Sequence, residues 1–270
     1  MPKKAELEIE KEKNKKIHPT ALISKKAEIA ENVEIGPYSI VNEDVLIDSG
    51  TKIHSHVLVE PGTHIGRNCQ IFQGAVLGGE PQDLKFEGEK TNLKIGDNTI
   101  IREYVTISRG TKYRGETTVG KNCLLMAYTH VAHDCIVGDN VILANAVNLA
   151  GHVEIQDFAI IGGVVPVHQF VRIGAHSIIG GGFRVPMDIC PYMLAAGYPL
   201  KIYGINKIGL QRRGFSTQTL EILGKVYRIL FRSKWNTRQA LEKIKAEIEM
   251  IPEVNNIIDF IVKSERGIVK

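Results

Sequence analysis

The 270-residue chain is poor in aromatic residues and cysteines and has no long apolar run. Aromatic side chains make up only 6% of the residues, which favours a narrow interior packed with aliphatic side chains. No apolar run reaches the roughly 18 residues of a membrane span, so we expect no transmembrane segment. Residues 1–16 hold six lysines and four glutamates without an apolar stretch, so we also expect no secretory signal.

Cysteine chemistry is also limited. The chain has four cysteines and no CxxC pair, and Cys69, Cys123 and Cys135 occupy the small-residue position of the repeat described below. Small buried thiols of this kind behave as apolar packing groups. We therefore expect no disulfides and a reducing, cytoplasmic location.

The net charge of +4 is unevenly distributed. Residues 198–270 hold 14 Lys and Arg against 7 Asp and Glu, whereas residues 17–197 carry a net charge of −5. A basic end on an acidic body predicts an acidic partner near the C-terminus. The basic residues lack aromatic neighbours, which disfavours nucleic acid as that partner.

What the chain has instead is a strict six-residue repeat. Neither the 3.6-residue period of a helix nor the two-residue period of a strand explains it. The aliphatic positions are Ile17, Ile23, Ile29, Ile35, Val41, Ile47, Ile53, Val59, Ile65, Ile71 and Leu77, then Ile95, Ile101 and Ile107, then Val119, Leu125, Val131, Val137, Leu143, Leu149, Ile155, Ile161, Val167, Ile173, Ile179 and Val185. Such hexapeptides predict a parallel β-helix with three short strands in each 18-residue coil.

The repeat also predicts the domain boundaries. We expect a flexible tail over residues 1–16 and a β-helix over residues 17–190, with loops at 78–92 and 108–118 where the period breaks. Residues 199–270 have amphipathic helical patterns and predict a small α-helical C-terminal domain. Flat exposed sheets on the prism favour association, and we expect a closed homotrimer.

Four histidines fall within the last block of repeats, at His130, His133, His152 and His168. His152 lies one coil plus one residue after His133, and His168 lies two coils minus one residue after it. The coil period therefore predicts that these three lie near one edge of the prism. A neutral imidazole can act as a general base near pH 7, and Asp134 follows His133 to orient it. Because no GxSxG nucleophile motif is present, the simplest chemistry is direct attack by an acceptor hydroxyl.

Other interpretations of these residues stay open. The histidines could be edge residues without a catalytic role, or they could bind zinc. Zinc-binding hexapeptide prisms have a histidine pair five residues apart, which residues 130–176 lack, so we expect no metal. Glycine clusters that include Gly163 and Gly181 could serve only the geometry of the corners, or they could leave room for a ligand chain along the prism. Arg212 and Arg213 are adjacent near a helix end and could clamp an anion.

Several motifs together resemble one known family. They are IHPTA (17–21), QDLK (82–85), IREYVTI (101–107), HVAHDC (130–135), LAGHV (149–153), FAIIGG (158–163), VHQF (167–170) and RRGFS (212–216). In this combination the chain resembles bacterial UDP-N-acetylglucosamine O-acyltransferases. The resemblance implies a left-handed parallel β-helix, a homotrimer and an active site between adjacent subunits.

The resemblance also implies a reaction. Enzymes of this family transfer a 3-hydroxyacyl group from acyl carrier protein to the 3-hydroxyl of UDP-N-acetylglucosamine, which begins lipid A biosynthesis. The acyl group arrives on the phosphopantetheine arm of the carrier, and no further cofactor is implied. Acyl carrier proteins are acidic, which fits the basic C-terminal region.

Residue roles follow by similarity. His133 matches the general base, Asp134 matches its partner, and Gly151 matches the residue whose backbone N–H stabilises the oxyanion. His130, His152, His168 and Gln169 match residues that contact sugar, nucleotide or pantetheine. Asp83 and Lys85 match contacts to the acceptor and the acyl hydroxyl across the subunit interface, and Gly181 matches a position that bears on acyl-chain length. Gly163 is a further substrate-binding candidate, and Asn206, Arg212 and Arg213 match contacts to the nucleotide or to the phosphopantetheine and its carrier.

Four further functions remain as alternatives. Two are acylation of a 3-amino sugar nucleotide and the N-acyltransferase reaction of the same pathway. The N-acyltransferase has a sizeable domain before its β-helix, whereas only sixteen residues precede Ile17. The others are a metal-dependent hydratase and a trimeric scaffold without catalysis.

Overall fold

The computed structural model describes residues 16–270, and within them the six-residue repeat forms a parallel β-helix. The predicted tail lies outside the described residues, except for Lys16, which begins the first strand. The strands pair into three sheets, which we call sheets A, B and C. Successive strands pass from sheet A to sheet B to sheet C and back to A.

The strand bounds follow the repeat closely. Sheet A holds β1 Lys16–Ile17, β4 Glu34–Ile35, β7 Lys52–Ile53, β10 Gln70–Ile71, β13 Ile100–Ile101, β16 Leu124–Leu125, β19 Ile142–Leu143, β22 Ile160–Ile161, β25 Ile178–Ile179, β26 Met193–Ala196 and β27 Lys201–Ile205. Sheet B holds β2 Leu22–Ile23, β5 Ile40–Val41, β8 Leu58–Val59, β11 Val76–Gly79, β14 Thr106–Ser108, β17 His130–Val131, β20 Asn148–Leu149 and β23 Pro166–Val167. Sheet C holds β3 Glu28–Ile29, β6 Leu46–Ile47, β9 Thr63–Ile65, β12 Asn92–Ile95, β15 Glu116–Val119, β18 Ile136–Val137, β21 Glu154–Ile155 and β24 Arg172–Ile173.

The aliphatic residue of each repeat points into the prism. From Ile35 to Val185 these side chains are at most 3% exposed, and the small residues two positions earlier, such as Val153 and Val165, pack beside them. Burial of this aliphatic column stabilises the coils. The first coil differs from the expectation, since Ile17 is 39% exposed. In the described residues, no preceding coil covers it.

Backbone hydrogen bonds join each coil to the next. The His130 N–H, for example, donates to the Val147 carbonyl at 2.9 Å, and the Glu154 N–H donates to the Val171 carbonyl at 3.0 Å. In this way the short strands satisfy the polar groups that their burial takes from water. One residue in many of the turns adopts a positive φ, including Asp134 at 59° and His152 at 63°.

The C-terminal region continues sheet A before it becomes helical. Strand β26 pairs in parallel with β25, and β27 returns antiparallel to β26. Residues 201–205 are therefore a strand, although the sequence predicted a helical region from residue 199. The free edge of β26 gives this segment a pairing partner, and the N–H of Asn206 bonds the Tyr192 carbonyl at 2.7 Å.

Four helices follow: α1 Lys207–Arg212, α2 Thr217–Phe231, α3 Thr237–Glu247 and α4 Pro252–Val262. Three of them begin at residues typical of helix starts. Ser216 caps α2, Asn236 and Gln239 form a capping box at the start of α3, and Pro252 occupies the first turn of α4. Within residues 16–270 no helix has both the length and the apolar character needed to cross a bilayer.

Candidate active site

One corner of the prism holds both loops and the predicted histidines. We call it the B–C corner, because there each sheet B strand turns into a sheet C strand. The loops are shorter than predicted, at residues 80–91 and 109–115, because β11, β12, β14 and β15 extend into the breaks in the period. Both loops leave from this corner, so they stand beside the turns of the later coils.

The turns at this corner stack in columns 18 residues apart. His133, Gly151 and Gln169 occupy one column, and Asp134, His152 and Phe170 occupy the next. The rings of His133 and His152 meet edge to face with centroids 5.0 Å apart, and His152 stacks on Phe170 at 4.4 Å. The spacing argument correctly brought His133 and His152 together.

His133 and Asp134 form a buried hydrogen-bonded pair. The His133 Nδ1–H donates to Asp134 Oδ2 at 2.8 Å, and the Asp134 side chain is fully buried. Burial alone would raise the pKa of the Asp134 carboxyl, but hydrogen bonds from His133 and Thr111 outweigh it and hold the pKa below its usual value. The carboxylate is therefore ionised near neutral pH, and in the neutral form of His133 it favours the tautomer with the proton on Nδ1 and the lone pair on Nε2.

The loop at 109–115 supplies the other donors to this carboxylate. Thr111 Oγ1 donates to Asp134 Oδ2 at 2.7 Å, and the backbone N–H groups of Thr111 and Arg114 donate to Oδ1 at 3.0 and 3.2 Å. The sequence marked this loop as a break in the repeat but missed Thr111. Proximity of the loop to the same corner was the only available signal.

Gly151 leaves room for the His133 ring. A Cβ added to Gly151 would lie 2.7 Å from Cε1 and 2.8 Å from Nε2 of His133, which is closer than real carbon contacts allow. The other two positions of the column carry His133 and Gln169, so the backbone there accepts side chains. Within the described residues the Gly151 N–H has no hydrogen-bond acceptor, and it is free to bind a ligand oxygen.

A groove of about 590 Å³ opens over the pair. Its lining includes the sequence-predicted residues Asp83, Lys85, His130, His133, Gly151 and Gln169. Asp83 and Lys85 thus reach the groove from the loop of their own chain, whereas the resemblance implied contacts across a subunit interface. Loop 80–91 starts at the same corner as His133, which is why one chain brings them together.

The remaining histidines have different surroundings. His130 Nδ1 lies 2.7 Å from Thr106 Oγ1, and burial together with nearby His133 lowers the pKa of His130. Burial also lowers the pKa of His152, although Asp134 opposes this shift. His168 lies on the same corner, with Nδ1 3.1 Å from the Gln169 carbonyl oxygen, but it does not line the groove.

The described residues contain one three-residue group with the composition of a metal site. The ligand atoms of His133, Asp134 and His152 lie within 4.8 Å of one another. His133 Nδ1 and Asp134 Oδ2 already share a hydrogen bond, which they would have to give up to bind an ion.

The other predicted site residues lie at different corners. Gly163 and Gly181 stack in adjacent turns between sheets A and B, where a Cβ on Gly181 would lie 3.0 Å from the Gly163 oxygen. Asn206 Nδ2 donates to the carbonyl of His176, in a turn between sheets C and A, at 2.8 Å. Arg212, at the end of α1, is exposed. One chain therefore does not bring all the predicted residues to one place.

Arg213 carries a partly buried positive charge. Its guanidinium lies 5.2 Å from the centroid of the Phe158 ring, and its NH1 atom is buried without a hydrogen-bond acceptor among residues 16–270. Burial lowers the pKa of Arg213, and burial together with Arg213 lowers the pKa of His176 to about 4. An anionic ligand at this corner would relieve the unpaired charge.

Two family models match this chain. One, described as bacterial transferase hexapeptide (six repeats), matches residues 116–151. The other, described as UDP N-acetylglucosamine O-acyltransferase, domain 2, matches residues 188–269. The two matches cover the coils around His133 and the C-terminal region.

Whole-length relatives agree with these models. An acyl-[acyl-carrier-protein]–UDP-N-acetylglucosamine O-acyltransferase of Aquifex aeolicus is 56% identical over 256 residues, covering 94% of this chain and 98% of the relative. The enzyme of the same name from Thermodesulfovibrio yellowstonii is 49% identical, covering 94% of this chain and 99% of its own. A crystal structure of a UDP-N-acetylglucosamine acyltransferase from Bacteroides fragilis matches with a TM-score of 0.93 at 47% identity, covering 94% of this chain and 99% of its own. The left-handed parallel β-helix with a small helical C-terminal part is confirmed.

Proposed function

This chain belongs to the UDP-N-acetylglucosamine O-acyltransferase family, and we propose that His133 is the general base of its reaction. The enzyme transfers an acyl group from acyl carrier protein to UDP-N-acetylglucosamine, the first step of lipid A biosynthesis. In our proposal the donor is a 3-hydroxyacyl thioester and the acceptor atom is the 3-hydroxyl of the sugar. The observation that carries the proposal is the fully buried Asp134 carboxylate bonded to His133 Nδ1.

The pair supports a direct transfer. Because Asp134 holds the proton on Nδ1, His133 Nε2 can accept the proton of the sugar hydroxyl as its oxygen attacks the thioester carbonyl. The new C–O bond forms, the C–S bond breaks, and the proton passes from Nε2 to the departing pantetheine thiolate. Asp134 stabilises the imidazolium between these steps, as the carboxylate of a catalytic triad does.

Gly151 and the groove residues complete this proposal. The unpaired Gly151 N–H sits beside the His133 ring and is suited to bind the oxyanion that develops on the carbonyl. Asp83, Lys85, His130 and Gln169 line the groove and would bind the acceptor sugar and the acyl hydroxyl. His152 lines a neighbouring pocket with Tyr113 and Phe170 and would contact the sugar, the nucleotide or the carrier arm. His168 would contact the nucleotide or the carrier arm further along the same corner.

We propose that the working enzyme is a homotrimer with its sites between adjacent subunits. The separation of the predicted residues onto three corners supports this, because a neighbouring subunit would bring its own turns toward the B–C corner. Gly163 and Gly181 would then line the acyl chain. Asn206, Arg212 and Arg213 would bind the nucleotide or the phosphopantetheine phosphate.

The basic C-terminal region supports docking of the acidic carrier. Residues 198–270 carry a net charge of +7, which favours encounter with an anionic partner. No cofactor beyond the arm of the carrier is needed for the proposed steps. Because this donor and the sugar nucleotide are its substrates, we propose that the enzyme works in the cytoplasm.

A shared site predicts that two inactive chains complement each other. When chains with His133→Ala and Arg213→Ala are unfolded, mixed in equal amounts and refolded together, about a quarter of the sites should regain both residues. The measurement is acyl transfer compared with each variant refolded alone. Mixing His133→Ala with Asp134→Asn is the matched control, because both residues come from the same corner of one chain. No recovery in the first mixture would contradict the shared site.

The reaction itself is tested by its product. With a panel of 3-hydroxyacyl carrier proteins and UDP-N-acetylglucosamine, we expect one acyl ester, identified by mass spectrometry and cleaved by hydroxylamine. The same panel with the 3-amino sugar nucleotide is the comparison, since an amide resists hydroxylamine. Faster turnover of the amino sugar would assign the enzyme to the alternative acceptor, and no transfer with either would refute acyl transfer.

A further inference from the structure

We propose that Thr111 is a positioning residue. Its hydroxyl holds the Asp134 carboxylate so that the carboxylate can orient the His133 ring. This inference rests on the proposed role of His133. It concerns a side chain that lies in the loop at 109–115 rather than in the repeat itself. Thr111 is 6% exposed and does not line the groove over His133.

The donors around Asp134 leave the carboxylate little freedom. Oδ2 accepts from His133 Nδ1 at 2.8 Å and from Thr111 Oγ1 at 2.7 Å. Oδ1 accepts from the backbone N–H groups of Thr111 and Arg114. The hydroxyl of Thr111 is therefore the only side-chain donor besides His133 among the described residues that bonds this carboxylate. Without it, Oδ2 would keep only the His133 bond, and the carboxylate would lose one of the four hydrogen bonds that set its orientation.

Asp134 needs such support because its own backbone is constrained. It has a φ of 59° in a tight turn, and its N–H donates to Thr117 Oγ1 at 2.9 Å. The backbone thus fixes the position of the Asp134 Cβ, and the loop at 109–115 fixes the orientation of the carboxylate. A charged acceptor held by several donors is pre-organised, so it does not reorient when the imidazolium forms.

The loop has anchors of its own that do not depend on the Thr111 hydroxyl. The Arg114 guanidinium donates to Glu154 Oε1 at 2.8 Å, and Glu154 Oε2 lies 3.6 Å from Arg172 Nε. The Gly115 N–H donates to the Thr111 carbonyl at 2.7 Å. The Thr111 hydroxyl also accepts from the Tyr113 N–H at 3.2 Å. Replacing it with a methyl group of similar size removes that bond but keeps these anchors, which should hold the loop.

The test compares Thr111→Val, which removes the hydroxyl, with Thr111→Ser, which retains it. In Thr111→Val we expect kcat to fall about tenfold, with KM for both substrates unchanged and the thermal midpoint lowered by the loss of a buried hydrogen bond. Thr111→Ser should stay close to wild type. Thr111→Ala provides the same comparison if the valine variant folds poorly.

A second comparison separates positioning from structure. In the His133→Ala background, Thr111→Val should cause no further loss of kcat, because the residue acts through His133. An equal loss in the serine and valine variants would overturn the proposal. So would a loss from Thr111→Val that is as large without His133 as with it. Failure of the proposed function would differ from both, since His133→Ala alone would then stay active.

Discussion

Replacing His133 with alanine is expected to lower kcat by a factor on the order of 10² or more. Among residues 16–270, His133 is the only histidine hydrogen-bonded to Asp134, and the variant lacks this proposed base. The loss should fall on kcat rather than on KM, because the groove keeps its other lining residues. The measurement is steady-state acyl transfer with saturating carrier and sugar nucleotide.

The structure offers a matched control for this result. His64 forms another histidine–aspartate pair, with Nε2 2.9 Å from Asp48 Oδ2, on sheet C and away from the groove. His64→Ala should leave kcat close to wild type, which would show that loss of such a pair is not itself damaging. Near wild-type activity in His133→Ala, or an equal loss in His64→Ala, would remove His133 from its proposed role.

Replacing Gly151 with alanine is expected to lower kcat by a factor of about 10². The new Cβ would lie 2.7 Å from Cε1 and 2.8 Å from Nε2 of His133, so the ring must move away from the position that Asp134 holds. The backbone itself permits the change, since Gln169 occupies the equivalent turn position one coil later. Thermal unfolding should also occur at a lower temperature than in wild type, because the contact is strained.

A double variant identifies the cause. In His133→Ala/Gly151→Ala the clash is absent, so the added methyl group should no longer lower the thermal midpoint relative to His133→Ala alone. Gly204→Ala is the control for loss of a glycine, because no atom lies within 4 Å of the Cβ it would carry. If Gly151→Ala keeps full activity, the close packing of ring and glycine has no part in the reaction.

The sequence predicted the β-helix because the residues that fill the interior of the prism recur at a fixed period. A prism with three short faces requires an inward aliphatic residue every sixth position, so Leu125, Val131 and Val137 specify the register without any knowledge of partners. The same arithmetic placed His133 and His152 on one corner. Applied to Gly163 and His176, it would also have predicted that they lie on other corners.

The six-residue period could not predict features that lie outside the repeat. Thr111 lies in a loop without a period, and only the folded chain brings its hydroxyl to Asp134. The strand at Lys201–Ile205 forms because β26 offers a free edge, and the six-residue repeat gives no signal for that antiparallel pairing. Tertiary pairing decides such segments.

The 18-residue columns at the B–C corner constrain how this chain can change in length. Removing one whole coil remote from residues 130–170 would keep every remaining column aligned. Deleting one residue between Asp134 and Gly151 would instead shift every later side chain to a different column. Loops 80–91 and 109–115 escape this restriction, because each leaves and rejoins the prism at a single corner. Insertions and deletions during evolution should therefore concentrate in those two loops, where they can reshape the groove without disturbing the coils beneath it.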